Sequence, residues 1–193
     1  TQDQIKKIAE RIFKFHQIAP INSEISSYGN LETIKYNWNE NFQQTEKYIN
    51  KIITKEDFRF IQNKINEFII KNTELITSRI AKNKIKHCHG DFHSENVFVI
   101  NNEPIIFDAI VFNQRFPCSD VIAEIAFMAM DLDYHGKTEL SNLFIKEYQE
   151  LSKDQDIPKL LNFYKCYRAY IRAKINCFTS EDKNLTTEKK AES

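Results

Sequence analysis

One short segment of this chain carries side chains that are suited to moving a phosphoryl group. The segment reads His87-Cys88-His89-Gly90-Asp91-Phe92-His93-Ser94-Glu95-Asn96, and Ile105-Ile106-Phe107-Asp108 follows it. In phosphoryl transfer, one carboxylate accepts the proton of the attacking hydroxyl, while an amide oxygen and a second carboxylate hold magnesium. Magnesium prefers such hard oxygen ligands. Asp91, Asn96 and Asp108 therefore predict phosphoryl-transfer chemistry.

The elements around this segment are expected to bring these three side chains together. Residues 84–88 predict a short strand, and Gly90 permits a sharp backbone turn. Residues 97–100 and 104–107 predict two strands joined by a turn. Asn96 would then lie just before one arm of a hairpin and Asp108 just after the other, so both belong at its open end, with Asp91 on the loop leading into it.

This stretch resembles the aminoglycoside phosphotransferase and choline-kinase-like enzymes, which are relatives of the protein kinases. Their pattern is His-Gly-Asp-x-x-x-x-Asn, followed by an apolar strand that ends in Asp. Residues 89–96 and 106–108 match it. One bacterial branch of the family, whose members are mostly uncharacterised, is also similar at residues 108–113, 119–127, 130–133 and 167–174. The resemblance covers roughly residues 1 to 178, and its motifs are most specific across 87–133.

The resemblance implies a role for several residues. Asp91 would be the catalytic base, and Asn96 and Asp108 would hold Mg²⁺ and, through it, ATP. His89 would be a structural part of the catalytic loop, and Asp120 would brace that loop from behind. The implied activity is transfer of the ATP γ-phosphate to a hydroxyl of a small molecule.

Other polar side chains are candidates for substrate contacts, each with a structural alternative. They are His93, Asp131, Arg168 and Arg172. His93 could instead stabilise its loop by a hydrogen bond, and Asp131 could end a helix in solvent. The two arginines share one helix face and could pair with acidic residues such as Glu124 or Asp131. Glu124 lies in an apolar helix and is expected to have a structural partner.

The sequence departs from the family pattern in two respects. Ala109 follows Asp108, where the family often has a polar or acidic residue. The chain also opens with a predicted helix, without the glycine-rich loop and lysine-bearing strand of a nucleotide-binding lobe. It is therefore expected to correspond to the carboxyl-terminal lobe of such a kinase, with the missing amino-terminal lobe as its partner. Alone, it should bind nucleotide weakly and turn over little.

Two other interpretations compete with a kinase-type site. The run His87-x-His89-x-Asp91-x-His93 is similar to the ligand set of zinc hydrolases, with the final histidine displaced by one residue. A zinc site would leave Asn96 and Asp108 without a role, which makes it the weaker interpretation. The alternative function is a non-catalytic binding or regulatory module that retains the kinase-like fold.

Composition limits the remaining possibilities. The chain of 193 residues has 27 basic and 27 acidic side chains, a balance that argues against binding to nucleic acid. There is no secretory leader and no apolar run that could span a bilayer, and none of the four cysteines forms a Cys-x-x-Cys pair. These features predict a cytoplasmic protein without a membrane partner. Aminoglycosides, choline, sugars and amino alcohols are all possible acceptors.

Hydrophobic periodicity predicts an α+β fold that is mostly α: a helical bundle with a small β-hairpin that bears the catalytic loop. The predicted single domain, a protein-kinase-like carboxyl-terminal lobe, spans residues 1–178, and a polar tail spans 179–193. Residues 20–37 predict an extended connection. The predicted helices cover roughly 3–18, 38–53, 55–82 with Thr54 as a cap, 120–130, 137–151 and 157–178.

Overall fold

The computed structural model describes residues 1–181, which form a mostly helical α+β fold, as predicted at that level. The helices are α1 (Gln2–Ile18), α2 (Ser23–Ser27), α3 (Leu31–Thr45), α4 (Lys55–Lys71), α5 (Thr73–Ala81), α6 (Val121–Tyr134), α7 (Thr138–Ser152) and α8 (Ile157–Glu181). The strands are β1 (Ile85–His87), β2 (Val97–Ile100), β3 (Glu103–Ile106) and β4 (Cys118–Asp120).

Two small antiparallel sheets flank the polar segment. The predicted hairpin is confirmed as β2 and β3, with Val97 opposite Ile106. The predicted strand at 84–88 is confirmed as β1, which pairs with β4 so that Ile85 lies opposite Asp120. Nothing in the sequence predicted β4, because three residues that include a serine and an aspartate show neither alternation nor an apolar run. The loop between β1 and β2 is thereby held at both ends.

Helix α6 is the centre of the core. It is apolar on almost every side, and it packs against α7 and α8 while α1 packs against α7. This confirms that the segment is a buried helix of the domain. The core comprises, among others, Ile12, Trp38, Ile69, Phe92, Ile122, Ile125, Phe144 and Leu160.

The predicted extended connection at 20–37 is wrong, because it contains α2 and the first half of α3. Two asparagines explain the difference. The side chain of Asn22 accepts a hydrogen bond from Ile25 N at 2.7 Å, and that of Asn30 accepts one from Thr33 N at 2.7 Å. Asparagine is a strong N-cap, so each residue starts a helix where composition alone indicated a loop.

The long helix predicted from residue 55 to about residue 82 is two helices. Its cap is confirmed, since Asp57 N donates to Thr54 Oγ1 at 3.0 Å. However, the chain turns at Asn72, whose side-chain amide donates to Phe68 O at 2.9 Å and satisfies one of the last carbonyls of α4.

The last helix continues to Glu181, three residues into the predicted polar tail. The rest of that tail, residues 182–193, lies outside the described residues. Among the helices of residues 1–181, none combines the length and apolarity that crossing a bilayer requires.

Candidate functional site

Asp91 and Asn96 lie in direct contact on the loop of residues 88–96, here called the motif loop. The Asn96 side-chain amide donates to Asp91 Oδ2 at 3.0 Å and to the Asp91 carbonyl at 2.9 Å. This orientation leaves Asn96 Oδ1 without a hydrogen-bond partner among residues 1–181, and that oxygen is the atom which could bind a metal ion. The Asp91 side chain is 37% exposed, so its carboxylate is accessible to a ligand.

Asp108 lies at the same end of the hairpin, as predicted. Phe107 N donates to Asn96 O at 3.2 Å, which continues the β2–β3 pairing up to the residue before Asp108. Asp108 itself is exposed and has a left-handed backbone, with φ of 63°. Aspartate tolerates this conformation better than most residues, so the carboxylate is turned out of the strand at its last position.

His89 connects the motif loop to the end of the hairpin. Its ring Nε2 lies 2.7 Å from the Phe107 carbonyl, and its Nδ1 accepts a hydrogen bond from Asp91 N at 3.3 Å. This pattern requires the proton on Nε2, because a carbonyl can only accept. The ring thereby fixes the backbone of Asp91 relative to the residue that precedes Asp108.

Gly90 and Glu124 hold the motif loop in place. Gly90 has φ of 89°, and a Cβ at this position would lie 3.2 Å from the Pro117 backbone, so glycine is required for both conformation and space. Its N–H donates to Glu124 Oε1 at 2.7 Å, and the other Glu124 oxygen lies 2.7 Å from His16 Nε2. The expected structural partners of this buried carboxylate are therefore the motif loop and helix α1.

Two of the predicted substrate contacts instead hold the loop. Asp131 is buried rather than in solvent at the end of a helix, and it accepts a hydrogen bond from Ser94 N at 2.9 Å. Arg168 donates to the carbonyls of Gly90 and Ala123, each at 3.1 Å, and it pairs with neither Glu124 nor Asp131. Such backbone contacts follow from the tertiary fold, and no local sequence signal indicates them.

His93 is buried against the ring of Phe127 and lies behind Asp91. Its Nε2 is 3.4 Å from Asp91 Oδ2. Burial acts to raise the pKa of Asp91, but the hydrogen bonds to His93 and Asn96 lower it below the ordinary value. Asp91 is therefore ionised at neutral pH, which is the state that accepts a proton or a hydroxyl hydrogen bond.

The resemblance implied that Asp120 braces the motif loop from behind, but the side-chain hydrogen bonds of Asp120 among residues 1–181 go elsewhere. Its two carboxylate oxygens accept from Nε and Nη2 on one edge of the Arg79 guanidinium, at 2.7 and 2.8 Å, and the carboxylate caps α6 by accepting from Ile122 N. Arg79 also binds Asp154 at 2.8 Å. Asp120 thus anchors α5 to the start of α6, and Glu124, one turn further along, is the carboxylate that holds the loop.

A cavity of about 700 Å³ opens beside Asp91 and Asp108. Helices α3 and α8 and residues 108–120 supply most of its wall. Of the four predicted substrate contacts, Arg168 and Arg172 line this cavity, whereas His93 and Asp131 do not. The contribution of α3 was not predicted, because the packing of α3 against α8 is a tertiary contact that no local sequence signal indicates.

The ligands required by the zinc interpretation do not converge. Among residues 1–181, the group of His, Cys, Asp or Glu side chains close enough to share an ion is His16, Cys88 and Glu124. Burial and the neighbouring Glu124 carboxylate raise the pKa of the Cys88 thiol well above its ordinary value. A protonated thiol is a poor zinc ligand, and His16 and Glu124 are already bonded to each other.

Comparisons with known proteins identify relatives without a described activity. The chain is 31% identical over 170 residues to an uncharacterised protein of Mycobacterium bovis and to uncharacterised proteins of two Mycobacterium tuberculosis strains. These alignments cover 88% of the chain but 34% of each relative, so the chain spans about a third of the length of the curated relatives it matches. No family model matches the chain, and no solved structure matches it.

Proposed function

We propose that this chain has a protein-kinase-like carboxyl-terminal fold and belongs to an ATP- and Mg²⁺-dependent phosphotransferase that acts on small molecules. The observation that carries the proposal is the hydrogen-bonded arrangement of Asp91, Asn96 and the end of the hairpin at Asp108. The Asn96 amide bonds to Asp91, and Asp91 and Asp108 both line one cavity. Their side chains offer hard oxygen donors of the type that magnesium prefers, which supports the proposal. The proposal also includes a nucleotide-binding lobe, which the complete enzyme would supply.

In the proposed reaction, Asp91 accepts the proton of an acceptor hydroxyl while the hydroxyl oxygen forms a bond to the γ-phosphorus of ATP. The bond from that phosphorus to the bridging oxygen breaks, and ADP leaves with the electron pair. Magnesium on Asn96 Oδ1 and the Asp108 carboxylate would supply charge neutralisation. Positioning provides much of the rate in such reactions, and the bonds from His89, Glu124 and Arg168 to the loop keep Asp91 in place.

A thermal-shift titration with Mg-ATP tests this assignment on the chain itself. A ligand at ten times its Kd stabilises by about 1.4 kcal/mol, or roughly 3 to 6 °C for a protein of this size. We expect such a magnesium-dependent rise in Tm and its loss in Asp108→Asn. Asparagine also tolerates a left-handed backbone, so this variant removes the charge and keeps the turn.

The matched control is Asp3→Asn, which changes an exposed aspartate of α1 that does not line the cavity. This variant should show the same rise in Tm as the unmodified chain. An equal rise in Asp108→Asn would contradict the proposal.

A further inference from the structure

The charges that line the 700 Å³ cavity are equal in number but unequal in how they are neutralised. Its wall contains four carboxylates and four basic groups. The carboxylates are Glu40, Asp91, Asp108 and Asp120, and the basic groups are Arg115, Arg168, Arg172 and Lys174. Which of these groups have an oppositely charged partner determines the charge that a ligand encounters.

Each of the four carboxylates has either a cationic partner or a role in the proposed reaction. Asp120 is neutralised by Arg79 behind the wall. Glu40 pairs with Arg115 at 2.7 Å, so this acid and this base cancel. Asp91 and Asp108 lie at the hairpin end, where the proposed function gives them the proton and the metal. Among residues 1–181, no uncompensated carboxylate is therefore left in the part of the wall that α3 and α8 form.

Lys174 and Arg172 have no such compensation. The Lys174 ammonium donates to the neutral side-chain oxygens of Asn41 and Gln44, at 2.6 and 2.8 Å. Burial lowers the pKa of Lys174, with a further contribution from nearby Arg115, although Glu40 opposes it. The carboxylate nearest to Arg172 is that of Glu95, which is 3.6 Å away and 67% exposed, so solvent weakens this pair.

Two further donors in the wall are not fully used. The Nε and Nη1 groups of Arg168 donate to backbone carbonyls, and its Nη2 has no hydrogen-bond partner among residues 1–181. Asn41 is 3% exposed, and its side-chain amide nitrogen has no partner among the same residues. A buried donor without a partner is costly unless a ligand accepts its hydrogen bond.

We propose that this cavity binds a phosphate acceptor that carries an anionic group, of the hydroxylated carboxylate or phosphate-ester class. The anion would contact Lys174 and Arg172, and the acceptor hydroxyl would lie at Asp91. This inference rests on the proposed phosphotransferase function, because it treats the cavity as the acceptor site. It disfavours cationic acceptors such as aminoglycosides and choline. Their charge would face Lys174 and Arg168, which have no carboxylate partner among residues 1–181, and Arg172, whose pair with Glu95 is weakened by solvent.

Matched probes that differ in charge test the inference on the nucleotide-free chain. Binding is measured by thermal shift and calorimetry at constant ionic strength. The anions glycerate, gluconate and glycerol 3-phosphate are compared with the neutral glycerol and glucose and with the cations choline and kanamycin. We expect at least one anion to bind while its neutral counterpart does not. A carboxylate and a phosphate ester with the same glycerol backbone show which anionic group the cavity prefers.

Two variants link binding to the named cations. Lys174→Gln and Arg172→Gln should each weaken anion binding by about tenfold, which is typical of losing one charge-assisted hydrogen bond. The Arg172 side chain is 36% exposed, so its variant should fold even if Lys174→Gln perturbs packing. Lys64→Gln, on the surface of α4 and outside the cavity wall, is the matched control and should leave binding unchanged.

The inference is overturned if no anion binds better than its neutral counterpart, if a cation binds best, or if anion binding survives both substitutions. Its failure is separable from failure of the proposed function, because the probes are tested without nucleotide. Mg-ATP binding that depends on Asp108 without any anion binding would refute only the acceptor class. Anion binding together with a Mg-ATP effect that Asp108→Asn does not reduce would leave the anion site and refute the proposed phosphotransferase site.

Discussion

At the scale of single residues, Glu124 links the motif loop to the rest of the protein. It is fully buried, and its two oxygens bond to Gly90 N and His16 Nε2. Burial acts to raise the pKa of Glu124, but the hydrogen bond with His16 and those from the loop backbone lower it below the ordinary value. A carboxylate in this state stabilises the fold only while it is ionised.

The variant Glu124→Gln keeps the shape of this side chain and removes its charge. The folded pKa lies below the unfolded value of about 4.3, so the contribution is complete above that pH and is lost as pH falls through the folded pKa. We expect the variant to be less stable by about 1 to 3 kcal/mol at pH 7, with a difference that shrinks below roughly pH 4. Urea denaturation across this pH range measures it.

Glu139→Gln, at an exposed position of α7, is the control and should differ little from the unmodified chain at any pH. A deficit of Glu124→Gln that stayed constant down to acid pH would show that ionisation of Glu124 does not contribute to stability.

The asparagine variants of Asp91 and Asp108 are expected to differ in how much Mg-ATP raises their Tm. Asp91→Asn preserves an oxygen that can accept from Asn96, and Asp91 is the proposed base rather than a metal ligand. The Mg-ATP-induced rise in Tm should therefore persist in Asp91→Asn, within about half of its original size, because phosphate and metal contacts do not use the base. The same titration that tests Asp108→Asn measures it. Complete loss in both variants would mean that Asp91 also serves the metal.

At the scale of secondary-structure elements, Arg79 joins three parts of the chain. Its guanidinium, 1% exposed, pairs with Asp120 at the start of α6 and with Asp154 and Asp156 in the turn before α8. These pairs raise the pKa of Arg79, although burial acts to lower it. Removing the cation would leave the buried Asp120 without an ion-pair partner among residues 1–181, and would leave the buried Asp154 with Lys84 alone, at 3.3 Å.

Arg79→Met should therefore lower the free energy of unfolding by about 3 to 5 kcal/mol. Arg59→Met, at an exposed position of α4 with no ion pair among residues 1–181, should change it by less than about 0.5 kcal/mol. Urea denaturation of both variants at neutral pH measures the effect. Equal stability of the two variants would mean that the buried pairs do not hold α5 against α6.

The secondary-structure elements show which features could be predicted from the sequence and which could not. The hairpin and the end that Asn96 and Asp108 share were predicted, because two short apolar runs separated by a turn are local signals. Strand β4 was missed, since its pairing with β1 is set by residues distant in sequence. For the same reason the sequence indicated that Glu124 needs a partner but could not identify His16, which lies on α1. Composition misled at residues 20–37, where two asparagine caps outweigh the loop-like residues.

At the scale of the whole molecule, a net charge of zero conceals a local imbalance. The count of 27 acidic and 27 basic residues gave no indication of the acceptor. All three of Asp120, Lys174 and Arg172 line the cavity, but Arg79, behind the wall, neutralises the Asp120 carboxylate. The uncompensated charge of Lys174 and Arg172 depends on contacts between α3 and α8, which sequence periodicity does not reveal. The electrostatic character of the cavity is therefore a property of the assembled fold.

The predicted single domain can be tested by measuring whether residues 1–181 unfold as one cooperative unit. Ile12, 1% exposed on α1, belongs to the same core as Trp38, which stacks on Phe42 and contacts α8. Ile12→Ala should cost about 2 to 5 kcal/mol. In a cooperative domain, this change on α1 must shift two urea midpoints equally. One is the midpoint of Trp38 fluorescence, which reports on α3 and α8, and the other is the midpoint of far-UV circular dichroism.

Ile18→Ala is the matched control, because the same residue type on the same helix is 82% exposed there and its loss leaves no cavity. It should move neither midpoint by a measurable amount. If Ile12→Ala shifted the circular dichroism transition and left the Trp38 transition in place, α1 would unfold separately from the α3–α8 pair. His16 would then leave Glu124 without unfolding the cavity, and the support of the motif loop would be independent of the site that it positions.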